Sequence, residues 1–116
     1  MKNILKGKEG EKVALDYLIK KGYHLLAQNY RYKRGEIDLV LRKENTLVFV
    51  EVKLRTGIGF GFPENTVDEK KETLIVATAE AFLEKEQLDL SIRFDIVSII
   101  KKGNNYSIEH FEDAFY

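Results

Sequence analysis

Residues 35–55 read GEIDLVLRKENTLVFVEVKLR, two apolar runs separated by the polar triplet Lys43-Glu44-Asn45. Such a stretch, rich in β-branched and aromatic residues on both sides of a turn, is expected to fold as an antiparallel hairpin, Glu36–Arg42 against Thr46–Leu54. Strand side chains alternate between faces, so Glu51 and Lys53 emerge together, roughly 7 Å apart along the strand. Val50, Val52 and Leu54 then face the other way. The same alternation groups Glu36 with Asp38 and sets Ile37, Leu39 and Leu41 opposite them, so the hairpin presents an acidic cluster and one lysine above an apolar layer. On an exposed strand, Glu-x-Lys is commonplace and marks no more than a weak ion pair. Here the flanks are Leu47, Val48, Phe49, Val50, Val52 and Leu54. They imply an inner strand, where ionisable groups rarely stand without a partner or a purpose.

Around the hairpin, the periodicity predicts a helix from Gly7 to Lys21, ended by Gly22, with Ala14, Leu15 and Leu18 at the i+3, i+4 and i+7 positions from Glu11. A first strand follows at Tyr23–Tyr30. Thr66 with Glu69 three residues later reads as a capping box that opens a second helix running to about Glu86, with Val67, Leu74, Ala77 and Ala81 as its apolar stripe. Ile92–Ile100 reads as a buried strand and Tyr106–Phe111 as a last or edge strand. The order is α-β-β-β-α-β-β, an α/β fold with a mixed five-stranded sheet flanked by helices. At 116 residues and 44% hydrophobic content, one domain spanning residues 1–116 is the expectation.

Composition narrows the chemistry. The chain has no cysteine, which removes disulfides and thiolate metal sites, and His24 and His110 lie too far apart in sequence for ligand spacing. The first residues mix charges among apolar positions, forming neither a signal peptide nor a membrane span, so a soluble, cytoplasmic protein is expected. Formal net charge is zero, yet residues 1–34 carry nine Lys or Arg against three acids, a local charge of +6, and the remainder is −6. A basic segment beside an acidic site suits a phosphate backbone led toward metal-bound carboxylates; solvated helix faces have the same composition.

Clustered carboxylates repel one another and resist ionising together, and a hard divalent cation such as Mg²⁺ or Mn²⁺ with oxygen ligands relieves that repulsion. Asp38 and Glu51 are the candidate ligands. Such a metal activates water and spreads the charge that grows on a phosphoryl group, while Lys53 is placed to orient or deprotonate the water or to neutralise the transition state.

At this point the sequence resembles the uncharacterised bacterial YraN family, which is assigned by similarity to the restriction-endonuclease-like, PD-(D/E)xK superfamily and lies near archaeal Holliday junction resolvases. The resemblance spans nearly the whole chain. It rests on GKEGEKVALDYL, GY, QNYR, GEIDLV, FVEVKLR, a Phe-Gly-x-Pro loop, KK before the second helix, RFDIVSI and Ala114-Phe115. It implies the restriction-endonuclease-like fold and a metal-dependent endonuclease that hydrolyses phosphodiester bonds in DNA, including branched or damaged structures. It places Asp38 and Glu51 at the two acids of the motif and Lys53 at its lysine, and Glu11 at the helix carboxylate of resolvase-like members. Ile37 stands where the motif usually has proline. A non-catalytic nucleic-acid or protein-binding module on the same fold is the alternative.

The residues around this core keep two meanings each. Glu11, in line with Ala14, Leu15 and Leu18, points toward the sheet as a metal ligand would, or favours the helix macrodipole as an N-terminal acid. Glu36 is a metal ligand or a supporting carboxylate on the Asp38 face, or follows Gly35 at the strand entry as a partner of Arg34. Lys70 reaches a phosphate or an active-site acid, or snorkels from the first turn of its helix. Asn29-Tyr30-Arg31-Tyr32-Lys33-Arg34 interleaves aromatics and bases, a composition able to stack on nucleobases and grip phosphates, with Arg31 and Arg34 as the phosphate contacts. Arg93-Phe94-Asp95 is expected to support the fold, its charges paired at the sheet end. The Gly57–Phe62 loop lacks the lysine and hydroxyl of a P-loop and is expected to serve as a substrate lid or dimer contact. A homodimer and a further protein partner both stay open.

Overall fold

The computed structural model describes residues 2–56 and 67–116, with side chains from Gly7 onward. Helix α1 (Lys2–Lys20) precedes strands β1 (His24–Tyr32), β2 (Gly35–Lys43) and β3 (Thr46–Thr56); helix α2 (Glu69–Glu86) leads to β4 (Ser91–Lys102) and β5 (Asn105–Phe111). The element order matches the one expected. The sheet runs β1-β2-β3-β4-β5, antiparallel except where β3 pairs with β4 in parallel. That parallel pair needs a crossover, which the segment carrying α2 provides. The Gly57–Phe62 loop and Thr66 lie outside the described residues. No helix among the described residues is long and apolar enough to cross a membrane.

One helix covers each face of the sheet. Ala14 and Leu18 of α1 pack with Tyr23, Leu39, Leu41, Val48, Val50, Val97 and Ile99. Ile75, Ala79 and Phe82 of α2 pack with Ile37, Val40, Leu47, Phe49 and Phe94. β3 therefore has both faces buried along Leu47–Val50, as its unbroken apolar run implies.

Three details depart from the sequence expectations. Helix α1 begins at Lys2, well before Gly7, and runs through Gly7 and Gly10. Gly10 is needed there because a Cβ at that position would stand 3.0 Å from Leu54 Cβ and 3.4 Å from Val52 Cγ1 on β3. Helix α2 is capped by Asp68, whose Oδ1 accepts a 2.8 Å hydrogen bond from the Lys71 amide. The buried residues of this helix are Ile75, Thr78, Ala79 and Phe82. Of the stripe expected at Val67, Leu74, Ala77 and Ala81, Val67 packs on the α2-side core from ahead of the helix, Leu74 and Ala81 are partly buried, and Ala77 is exposed. In β2 the alternation breaks: Ile37 and Val40 face α2 while Leu39 and Leu41 face α1. Opposite that break, Asn29 takes a left-handed backbone conformation, φ 50°, and Ala27 and Tyr30 both pack on the α2 side. Ile37 therefore does not share a face with Leu39, because an irregularity in both strands skips one position.

The β1–β2 hairpin is held tightly against α2. A Cβ on Gly35 would fall 2.0 Å from Thr78 Oγ1 and 2.6 Å from the Leu74 carbonyl oxygen. Thr78 Oγ1 itself donates to that carbonyl at 2.7 Å, so neither atom can withdraw freely. Gly35→Ala is expected to destabilise the protein by about 1–3 kcal/mol through overpacking. An unchanged denaturation midpoint would contradict this packing.

At the opposite side of the sheet Asp95, fully buried, organises the C-terminal segment. Its carboxylate accepts both Arg93 Nε and Nη2 at 2.9 Å, the Asp113 amide at 3.0 Å, and lies 2.7 Å from His110 Nε2. Burial opposes its ionisation, but the hydrogen bonds from His110, Arg93 and the Asp113 amide outweigh that and hold its pKa below the ordinary carboxylate value. Arg93 also donates to Tyr23 Oη at 2.6 Å. The structural role expected for Arg93-Phe94-Asp95 is the one observed, with Phe94 in the α2-side core.

Candidate active site

The site lies where β2 and β3 part. Their ladder closes with Leu39 opposite Val50. Beyond that pair, Asp38 Oδ2 accepts the Val52 amide at 2.8 Å, so a side chain takes the bond that a strand carbonyl would otherwise make. The break in β2 alternation described above is what aims Asp38 into the opening. Glu51, on β3 and only 5% exposed, adjoins Asp38 closely enough for its charge to act on the Asp38 carboxyl. Two carboxyl groups side by side, Glu51 buried and Asp38 half-buried, cannot both ionise cheaply. Burial, the charge of Glu51 and, to a lesser degree, that of Glu11 push the Asp38 pKa up to about 8, against the opposing pull of the Val52 amide.

Lys71 reaches this pair from α2, and Lys53 lies two residues along β3 from Glu51. Lys53 is partly buried beside the parallel strand. Lys71 of α2, its side chain half exposed, forms an ion pair with the buried Glu51 carboxylate. Burial works against the charge on Lys71, yet the hydrogen bond to Glu51 and the charges of Glu51, Asp38 and Asp68 prevail and raise its pKa.

On the α1 side, Asp38 opens into a cleft of about 320 Å³ lined by Gly7, Lys8, Glu11, Asn29, Arg31 and Glu36. Glu11 reaches it from α1 and accepts Asn29 Nδ2 at 2.9 Å. Arg31 and Glu36 face each other at 3.5 Å, with Arg31 largely in solvent. The structure thus gathers Glu11, Asp38, Arg31 and Glu36 around one cleft and sets Glu51 behind Asp38. It does not bring in Arg34, which lines a separate apolar hollow with Tyr32, Lys33, Leu74 and Ala77. Glu36 pairs with Arg31, not with Arg34.

Lys70 is exposed, and the lysine on the site is its neighbour. Ile75, Ala79 and Phe82 share a helix face with position 71, at i+4, i+8 and i+11, whereas position 70 belongs to the adjacent stripe. The Lys70-Lys71 pair was visible in the sequence, but choosing between them required knowing which face of the helix packs on the sheet.

Among the described residues, no group of three Asp, Glu or His side chains is arranged to hold a metal ion. Asp38 and Glu51 nonetheless offer an all-oxygen donor set, and the raised pKa of Asp38 and the Lys71–Glu51 ion pair mark a place that accepts positive charge. This is the chemistry a hard divalent cation requires.

The family model of the uncharacterised protein family UPF0102 matches residues 10–99. A UPF0102 protein of Flavobacterium psychrophilum is 46% identical over 110 residues, covering 95% of this chain and 92% of its own length. A UPF0102 protein of Persephonella marina is 41% identical over 112 residues, covering 96% and 93%. Another, of Parabacteroides distasonis, is 46% identical over 110 residues, covering 95% and 91%. The model match reaches from α1 to β4 and takes in Glu11, Asp38, Glu51, Lys53 and Lys71, and on these grounds the chain belongs to the UPF0102, YraN-like family.

Proposed function

We propose that this protein is a Mg²⁺- or Mn²⁺-dependent endonuclease of the restriction-endonuclease-like superfamily that hydrolyses phosphodiester bonds in DNA, with branched or damaged structures as its substrates. The observation that carries this reading is the pairing of half-buried Asp38 with buried Glu51 at the parting of β2 and β3, with Lys71 on Glu51 and Asp38 opening into a cleft that carries Lys8 and Arg31. A fold stabilised only for its own sake gains nothing from two adjacent carboxyl groups withdrawn from water, because their repulsion and desolvation both oppose folding.

In this proposal Asp38 and Glu51 would hold the cation, with Glu11 contributing from α1; the bound cation supplies an activated water and charge stabilisation at the phosphoryl oxygens. The Val52 amide fixes Asp38, and Asn29 fixes Glu11. Lys53 orients the attacking water or takes its proton. Arg31 and Lys8 draw the DNA backbone along the cleft, and the basic first third of the chain raises its local concentration. Double-strand cleavage would require a second copy of the chain, and the setting is cytoplasmic.

A DNA- or protein-binding module without catalysis is the second reading, favoured by the absence of a ready three-ligand cluster among the described residues. Glu51→Gln separates the two. With a four-way DNA junction and Mn²⁺, the nuclease reading expects cleavage to fall about a hundredfold while DNA binding persists. Wild-type protein that binds the junction tightly and leaves it intact would establish the module instead.

A further inference from the structure

The contact between Lys71 and Glu51 has two unequal partners. Glu51 is 6% exposed in its side chain, and Lys71 is 50% exposed. The carboxylate is fixed on an inner strand, whereas the ammonium ends a flexible four-carbon stem rooted in the first turn of α2. Nothing in the helix depends on where that ammonium goes. The cap that starts α2 uses the Lys71 backbone amide, bonded to Asp68 Oδ1, and the buried face of the helix is made by Ile75, Thr78, Ala79 and Phe82. The side chain can leave Glu51 without breaking a helix hydrogen bond, and on leaving it recovers hydration.

The place it holds is the one with the greatest demand for positive charge. Glu51 and Asp38 adjoin, the charge of Glu11 is also felt there, and the Lys71 ammonium lies close enough to feel both Glu51 and Asp38. Arg31 and Lys8, the cations of the cleft, stand on its α1 side with Glu11 and Glu36, while Lys71 comes from α2.

We propose that Lys71 is a displaceable counter-cation: it occupies the cation position beside Glu51 in the metal-free protein and must be expelled for a divalent ion to bind Asp38 and Glu51. This rests on the metal-dependent reading of the site and adds to it a device that sets metal affinity. The internal ammonium keeps the empty carboxylate pair partly neutralised, so the protein remains folded without metal, and it competes with metal at an effectively fixed local concentration. Weak ions are thereby excluded, and loading is coupled to release of a lysine at the start of α2.

The test is Mn²⁺ affinity, from paramagnetic broadening of the Val52 amide, in the wild type, Lys71→Met and Lys71→Arg. Met keeps the apolar stem and removes the competitor, so Lys71→Met should bind Mn²⁺ about two- to fivefold more tightly, the factor for no longer breaking one half-exposed ion pair. Lys71→Arg, which keeps the charge, should remain near or below wild-type affinity. A second readout uses no paramagnetic ion: Mg²⁺ should shift the ¹³Cε resonance of Lys71 in the wild type, and that shift should be absent in Asp38→Asn. Equal or weaker Mn²⁺ binding by Lys71→Met, with the wild type binding normally, would overturn the counter-cation role and leave the metal site standing. Failure of all three proteins to bind Mn²⁺ would remove the metal reading, and the inference with it.

Discussion

Asp95→Ala is expected to lose about 3–5 kcal/mol of stability, the cost of leaving buried hydrogen-bonding and charged groups without their partner. Asp95 is fully buried, and its removal deprives Arg93, His110 and the Asp113 amide of their shared acceptor at once. Arg93 is the costliest of these, since its side chain is only 23% exposed. The C-terminal segment should suffer first. It is tied to β4 by the Asp113 amide on Asp95, by the Ala114 amide on the Phe94 carbonyl at 2.7 Å, and by Phe115 against the Phe94 ring. Thermal unfolding should therefore fall by about 15 °C, with amide exchange at residues 112–116 rising well before global unfolding. Because the folded-state pKa of Asp95 is lowered, its contribution is present above the ordinary carboxylate pKa and is lost as pH falls through the folded value. The wild type should accordingly lose stability in acid over that range, and Asp95→Ala should show a shallower acid limb. A variant with wild-type melting would mean that the network contributes specificity of structure and no net stability.

Asp38→Asn is expected to act with the opposite sign. Asp38 is held with its pKa raised to about 8, by burial and by the charge of Glu51. A carboxyl group whose folded pKa is raised retains its proton in the native state where the unfolded chain has lost it. Its penalty is absent below the unfolded pKa, grows as pH rises through the interval, and is complete above about pH 8. Asparagine keeps an oxygen to accept the Val52 amide and cannot ionise. Metal-free Asp38→Asn should match the wild type near pH 4 and exceed it by about 3 kcal/mol near pH 9, less than the full linkage value because solvent and Lys71 share the charge. Added Mn²⁺ should reverse the ranking, stabilising the wild type and leaving the variant unchanged. Urea denaturation at pH 4, 7 and 9, with and without Mn²⁺, checks both parts. Equal stability of the two proteins at pH 9 would show that the Asp38–Glu51 pair is not under strain.

These two aspartates illustrate how differently one residue type is used at the two sites. Asp95 has donors on every side and belongs to the architecture. Among the described residues, Asp38 accepts one backbone N–H, from Val52, and has an acidic neighbour. Structures tolerate such an arrangement where binding or chemistry repays the folding cost. Gly35 connects the two demands, since its contact with Leu74 and Thr78 seats the β1–β2 hairpin against α2. That packing positions both the strand bearing Asp38 and the helix bearing Lys71.

The sequence by itself determined the order of elements, the hairpin carrying Asp38 and Glu51, and the inner position of β3. These follow from local properties: β-branched content, turn residues and two-residue alternation act over a few neighbours and survive without tertiary context. The Arg93–Asp95 pair was legible for the same reason, its partners being two residues apart on one strand. The features that needed the tertiary structure all depend on a phase or a distance that no local pattern carries. The rotation of α2 is set by the packing of Ile75, Ala79 and Phe82 on the sheet, and that rotation selects Lys71 over Lys70 at Glu51. The skipped position in β2 separates Ile37 from Leu39 and aims Asp38 at Val52, because the left-handed turn of Asn29 on the neighbouring strand interrupts both alternations together. Arg31 reaches the cleft while Arg34 turns to the α2 side, a division made by the β1–β2 turn rather than by composition. Periodicity fixes which residues share a face only while the strand or helix stays regular, and the site of this protein is built where regularity ends.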